Sequence, residues 1–368
     1  MIAYRMSEID SSGIRKIFNL AQKMRNPVNL SIGQPDFDVP EEIKAVAVKA
    51  ILDGANKYTV TQGIAELRAG ISKQLLKHRG VNAEDVIITS GVSGALTLAL
   101  MVLINPEDEV LIPDPAFVSY KHLTKFCGGK PVFIDTYPDF QLTAARIQPH
   151  ITKKTKALVM NSPANPTGIL CTAHEIKEIA ELARKHNLVV ISDEIYHSYD
   201  YHHTFESIGK YYEKTLILDG FSKSFAMTGW RMGYAAGPAS IITEMIKLQQ
   251  YTFVCAPSFA QYALAISLET DVSHYIANYK KKRDLMYDGL KDRFRIVKPD
   301  GAFYFFPQVP WGTDEEFVAS AVKNNLLIIP GSVFSERNTH FRICYTASEE
   351  TIQCGIDILN TLAQQQPS

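Results

Sequence analysis

Five short stretches of this chain hold residues that could do chemistry together. In "GFSKSFAMTGWRMG" (residues 220–233), Lys223 and Arg231 stand eight positions apart among small and apolar residues. Burying an ammonium is costly. A lysine in such a segment is therefore either a snorkelling surface side chain or an amine activated by a poorly solvated site and a neighbouring cation. Arg231 would add an anion clamp to the same pocket. In "LVVISDEIY", Asp193 comes straight off an apolar run and Tyr196 follows three residues later. A carboxylate there either needs a partner or caps a helical turn. "NSPANPTG" (residues 161–168) is a tight turn around Asn165, whose bond to Pro166 could be cis or belong to a plain loop. In "VIITSGVSGAL", the Gly91-Val92-Ser93 turn between a strand and an amphipathic helix suits a phosphate, with Ser93 adding a hydroxyl or capping the helix. Phe117 in "DPAFVSY" is either a core aromatic or a plate facing a ligand.

The elements that carry these residues read as follows. Apolar runs "VIITS", "EVLIP", "PVFID", "KALVM", "LVVIS", "TLILD" and "MGYAAG" recur between residues 86 and 237. They are short and β-branched, as strands buried on both faces are, and helical patterns such as "HEIKEIAELARKHN" separate them. The expectation is an α/β fold: a large domain whose mostly parallel seven-stranded sheet is sandwiched by helices. Beyond residue 257 a long helix over 258–290 is expected. Short strands at "FRIV", "GAFYFF", "LLIIP" and "HFRICYT" come next, in a smaller α+β domain built from both termini. The predicted division is 41–270 for the large domain and 1–40 with 271–368 for the small one. Ligands of open α/β sheets bind beyond the carboxyl ends of the strands, where the residues above fall. Together they fit an aldehyde cofactor with a phosphate, a pyridine nitrogen and a phenolic oxygen.

Bulk composition excludes several alternatives. Lys+Arg total 38 against 39 Asp+Glu, so the net charge of -1 lacks the basic excess of a nucleic-acid binder. The longest apolar run, residues 95–104, is too short to span a bilayer. The N-terminal residues do not read as a signal peptide. The 5 cysteines are scattered, without a C-x-x-C pair, which fits reduced thiols in a cytoplasmic protein. No metal-ligand spacing is recognisable among the 10 histidines, and no dinucleotide, P-loop, nucleophile-elbow or zinc-protease motif occurs.

The sequence resembles the class I and II aminotransferases of the fold-type I, aspartate aminotransferase-like pyridoxal-phosphate enzymes, over nearly its whole length. "GFSKSFAMTGWRMG" is similar to the family's lysine signature, "NSPANPTG" to its Asn-Pro-x-Gly turn and "SDEIY" to its Asp-x-x-Tyr; "DPAFVSY", "KYTVTQGIAELR" and "LSIGQPDFDVP" fall in the family's order. The resemblance implies pyridoxal 5'-phosphate as cofactor, held on Lys223 as a Schiff base. Asp193 would pair with its ring nitrogen, and Tyr196 and Asn165 would bond its phenolic oxygen. Phe117 would stack on the ring. Val92, Ser93, Ser222 and Arg231 would hold the phosphate, with Tyr58 reaching the neighbouring subunit's phosphate in a homodimer with shared sites. Arg342 would grip the substrate α-carboxylate. Asn165 would also contact the substrate, and Gly33 would leave room for its backbone.

The implied reaction moves an amino group from an L-amino acid to a 2-oxo acid by ping-pong kinetics, Lys223 shuttling the proton. Aspartate or an aromatic amino acid is the expected substrate. Phe18, Tyr58 and residues 251–253 are candidates for favouring an aromatic side chain. The alternatives are a β-lyase acting on cysteine conjugates with the same lysine and aspartate, and a cofactor-binding regulator domain without turnover. Two departures stand out. Gly220 occupies a position where many relatives have a serine, which would remove a phosphate donor. Gly94 stands where many carry a polar residue.

Overall fold

All seven apolar runs join one sheet in the computed structural model, which describes residues 2–11 and 13–365. The strands are β1 (Asp85–Ser90), β2 (Glu109–Asp114), β3 (Lys130–Asp135), β4 (Thr155–Asn161), β5 (Val189–Asp193), β6 (Thr215–Gly220) and β7 (Met232–Gly237). Their order across the sheet is β1-β7-β6-β5-β4-β2-β3. Only β7 runs against its neighbours; the other pairings are parallel. β6 is buried at every residue. Apolar clusters on the two faces, one around Ile88 and Ile217 and another around Leu98 and Leu218, explain why these strands read as unbroken apolar runs.

Local signals set the helices on the faces. Ala173–His186 opens with a reciprocal cap between Thr172 and Glu175 and ends at Asn187 in the left-handed conformation. The helix Gly91–Leu103 differs from its amphipathic expectation. It is buried on most of its surface, because it packs against β6 and β7 on one side and the helix Ala239–Gln249 on another.

The expected long helix over 258–290 is two helices, Ser258–Ser267 and Ser273–Leu290. The break is capped locally, the Asp271 carboxylate accepting from the Ser273 N–H. "FRIV" forms no strand. Phe294 instead fills the core, and Arg295 offers its carbonyl to a single N–H, that of Gln308. Tyr304–Phe305, Ile329–Pro330 and Phe341–Cys344 form a three-stranded antiparallel sheet, and Val28–Asn29 pairs in parallel with Leu326–Leu327. The N-terminal segment is also fixed by Asp36, which accepts from Tyr279 at 2.5 Å and pairs with Lys282, and by Phe37 stacked on Tyr275 at 4.0 Å.

Candidate active site

The carboxyl ends of β1, β4, β5 and β6 and the start of β7 open on a cavity of about 250 Å³. Gly33, Val92, Ser93, Phe117, Asn165, Asp193, Tyr196, Ser222, Lys223, Arg231 and Arg342 all line it. Tyr58 does not. It is 84% exposed, in an outer hollow that it shares with Ser90, Phe253 and Arg231. Phe253 lines that hollow, Tyr251 is exposed to solvent, and the side chain of Phe18 lies outside the described residues.

Lys223 belongs to a single helical turn, Phe221–Ser224, held down by a bond from the Tyr199 hydroxyl to its carbonyl at 2.8 Å. Its Nζ donates to the Gly33 carbonyl at 2.7 Å. Burial, the largest influence, pulls the amine down to about 8; Cys344 and Asp193 oppose the shift, and Arg342 and Arg231 add to it. A substantial neutral fraction near pH 8 makes this amine a usable nucleophile and base.

Asp193 ends β5, and its Oδ2 accepts from the Tyr120 hydroxyl at 2.6 Å. Burial pushes the carboxyl up to about 6, against the Tyr120 and Ile195 donors that favour its charged form. A cationic ring nitrogen beside it would offset the burial. The Asn161 amide ties the turn to the strand, donating to the Asp193 carbonyl at 2.9 Å while accepting from the Asn165 N–H at 2.8 Å. The Asn165–Pro166 bond is cis.

An anion fits at the start of Gly91–Leu103. Ser93 makes no cap there, since Ser90 occupies the N-cap position. Arg231 donates to the Thr228 carbonyl at 2.9 Å and to the Ser90 carbonyl at 3.4 Å. Gly91 has φ 67°, and a Cβ on it would lie 2.6 Å from Arg231 Nη2, so glycine alone leaves the guanidinium beside the helix amides. Thr228 adds a hydroxyl to the lining. A Cβ on Gly220 would meet the Met232 carbonyl at 2.7 Å and the Gly233 Cα at 2.8 Å, so a serine there would require the paired β6 and β7 backbones to shift. A Cβ on Gly94 would face Ser90 at 3.2 Å, within the helix packing.

Arg342 is 2% exposed. It donates to Asn165 Oδ1 at 3.1 Å and the Ser31 carbonyl at 2.9 Å, and lies between the rings of Tyr304 and Phe334, 4.7 and 4.6 Å away. Its Nε has no partner, and no carboxylate among the described residues pairs with it. A buried cation without an acid is costly alone and awaits an anion.

The far side of the same strand ends is held by ions. Arg79 contacts Glu194 at 2.7 Å, Asp219 and the His197 ring at 3.0 Å. Tyr234 donates to Asp219 at 2.9 Å, and Ser207 donates to Glu194 at 2.6 Å. Burial alone would raise Asp219; His197 and Arg79 overcome it and hold the carboxyl well below the usual range.

A family model described as aminotransferase class I and II matches residues 25–359. The chain belongs to the class I and II aminotransferases. It is 40% identical to a probable aspartate aminotransferase of Methanocaldococcus jannaschii, across 98% of this chain and 100% of the relative. It is 35% identical to aromatic-amino-acid aminotransferase 2 of Thermococcus litoralis, across 98% of both. Among solved structures it is similar to Thermus thermophilus aspartate aminotransferase with maleate: TM-score 0.95, 31% identity, covering 98% of this chain and 99% of that one. In this aminotransferase the polar site residues unforeseen from the sequence are Tyr120, Asn161, Thr228 and Tyr304. Tyr120, inside a helix, and Tyr304, inside an aromatic run, both read as core; position beside a strand end was the usable signal for Asn161 alone.

Proposed function

We propose that this aminotransferase uses pyridoxal 5'-phosphate to move the amino group of an L-amino acid to a 2-oxo acid, with aspartate or an aromatic amino acid as donor. One observation carries the proposal: a lysine amine lowered to about 8 shares a cavity with a buried carboxylate and with Arg342, which has no acid partner. When bound, the cofactor supplies an electron sink for the substrate α-carbon and carries the amino group between two half-reactions.

The chain's own residues do the rest. Lys223 would hold the cofactor through its amine and, once displaced by substrate, take the proton from the α-carbon and return it to the cofactor's C4′ position. Asp193, fixed by Tyr120, would hold the ring nitrogen in its cationic form. Tyr196 and the Asn165 amide would donate to the phenolic oxygen, and Phe117 would cover the ring. Val92, Ser93, Ser222 and Arg231 would bind the phosphate beside the helix amides. Arg342 and Asn165 would bind the α-carboxylate, and Gly33, whose Cβ would strike the Tyr304 hydroxyl, would keep the substrate backbone's path open. The lining of Ile14, Leu96 and Phe117 gives an aromatic side chain apolar contact. The relatives named for aspartate support the acidic alternative.

The proposal includes a homodimer with shared sites. Tyr58 stands outside its own cavity but beside Arg231's outer face, and Leu52, Val60, Tyr251 and Ile266 expose further apolar surface. It also includes the division at residues 41–270 against 1–40 with 271–368, supported by the pairing of Val28 with Leu326. No helix among the described residues is long and apolar enough to cross a membrane. The unbonded thiols support a cytoplasmic location. Lys223→Ala tests the core of the proposal: it should abolish both the visible absorbance of added cofactor on the protein and transamination. Full turnover by that variant would refute it.

A further inference from the structure

Tyr304 touches three parts of the site at once. Its hydroxyl lies 2.6 Å from the Tyr196 hydroxyl, its ring lies 4.7 Å from the Arg342 guanidinium carbon, and its hydroxyl fills the space a Cβ on Gly33 would need. It comes from the three-stranded sheet, paired with Cys344, whereas Tyr196 follows β5 of the large sheet. Both phenols are buried, and each has one proton. One hydrogen bond between them uses one proton and leaves one over. Which phenol keeps the spare proton depends on which is the stronger donor. A cation over an aromatic ring draws electron density from it and makes its hydroxyl more acidic. Burial raises the Tyr304 phenol, and the Arg342 charge is the next influence and lowers it. On Tyr196 the same charge ranks behind burial and the Tyr304 contacts. Either hydroxyl can donate across the 2.6 Å contact, and the Arg342 cation 4.7 Å from the Tyr304 ring favours a bond running from Tyr304 to Tyr196. A hydroxyl that accepts a hydrogen bond becomes a better donor itself.

We propose that Tyr304 is a positioning residue for the reaction: its hydroxyl donates to Tyr196 and turns the Tyr196 proton toward the cofactor's phenolic oxygen, while its ring supports Arg342. This inference rests on the proposed function. It divides Tyr304 into two separable parts, a hydroxyl acting on the cofactor side and a ring acting on the carboxylate side.

The test uses the full chain loaded with cofactor. Tyr304→Phe keeps the ring and its packing and removes only the hydroxyl; Tyr304→Leu removes both. A weaker Tyr196 donor stabilises the phenolic oxygen less, so the pH midpoint of the bound cofactor's visible absorbance should rise in Tyr304→Phe by about half to one unit. Its kcat should fall about three- to tenfold, with KM for the amino acid within about twofold of the parent. Tyr304→Leu should show the same midpoint shift and in addition raise KM about tenfold, from loss of the cation–π support. An unchanged midpoint in Tyr304→Phe overturns the inference. So does a KM that rises equally in both variants. If the parent protein shows no such absorbance, the functional proposal falls and this inference with it; a parent band with no shift in Tyr304→Phe overturns the inference alone.

Discussion

Replacing Arg79 with methionine should loosen the base of the site in a pH-dependent way. Arg79 is 8% exposed at its side chain, and its partners Glu194 and Asp219 are 1% and 2% exposed. Removing one partner of a buried ion pair costs about 3–5 kcal/mol, because the remaining charge stays buried. For 368 residues the melting entropy is about 0.8 kcal/mol per kelvin, so the loss corresponds to a fall in Tm of about 4–6 K near pH 8. The sign of the pH dependence follows from Asp219. In the parent its carboxyl is depressed, so its stabilising contribution is complete above the unfolded value of about 3.9 and is lost as pH falls below it. Without Arg79, burial is opposed only by His197 and by the hydrogen bonds from the Tyr234 hydroxyl and the Gly220 N–H. The carboxyl rises, and its charge becomes a penalty that protonation relieves. The gap between parent and variant should therefore be widest near pH 8 and narrow toward about pH 5. Scanning calorimetry of both proteins at the two pH values measures it. A variant melting within about 1 K of the parent near pH 8, or a gap that widens on acidification, would refute the reasoning.

Two further outcomes are expected. Gly220→Ser should lower stability by about 1–3 kcal/mol through collision with β7, without tightening cofactor binding; tighter binding in a cofactor titration would show that the serine reaches the cavity after all. Mixing Lys223→Ala subunits with Tyr58→Ala subunits should give hybrids with one intact site each, returning about a quarter of parent activity from an equal mixture if sites are shared between two subunits. Activity no higher than the two variants assayed apart would contradict sharing.

The sheet was legible because strands buried on both faces are apolar at most positions, as in β6, "TLILDG", where every residue is buried and the one acid, Asp219, is paired with Arg79. The residues just beyond those strands were legible for the same reason: a polar side chain after such a run has few structural excuses. Tyr304 and Tyr120 were hidden because a buried phenol in an apolar run looks like core until its hydroxyl partner is seen. The Arg79 cluster joins positions 115 and 140 residues apart, a separation that no local pattern records. The break at residues 268–272 was missed because the apolar spacing continues across it, while the Asp271 cap depends on backbone geometry.

The pairing of Val28 with Leu326 sets an order on synthesis. About 300 residues separate the two (326 minus 28), so at roughly 5–20 residues per second the N-terminal strand waits about 15–60 s for its partner. Gly33, which receives the Lys223 amine, belongs to that waiting segment. The large sheet can close over its core within this interval, because β7 ends at Gly237. On the ribosome, the wall of the pocket translated first would then be the one put in place last, leaving the Lys223 amine without the Gly33 carbonyl until it arrives.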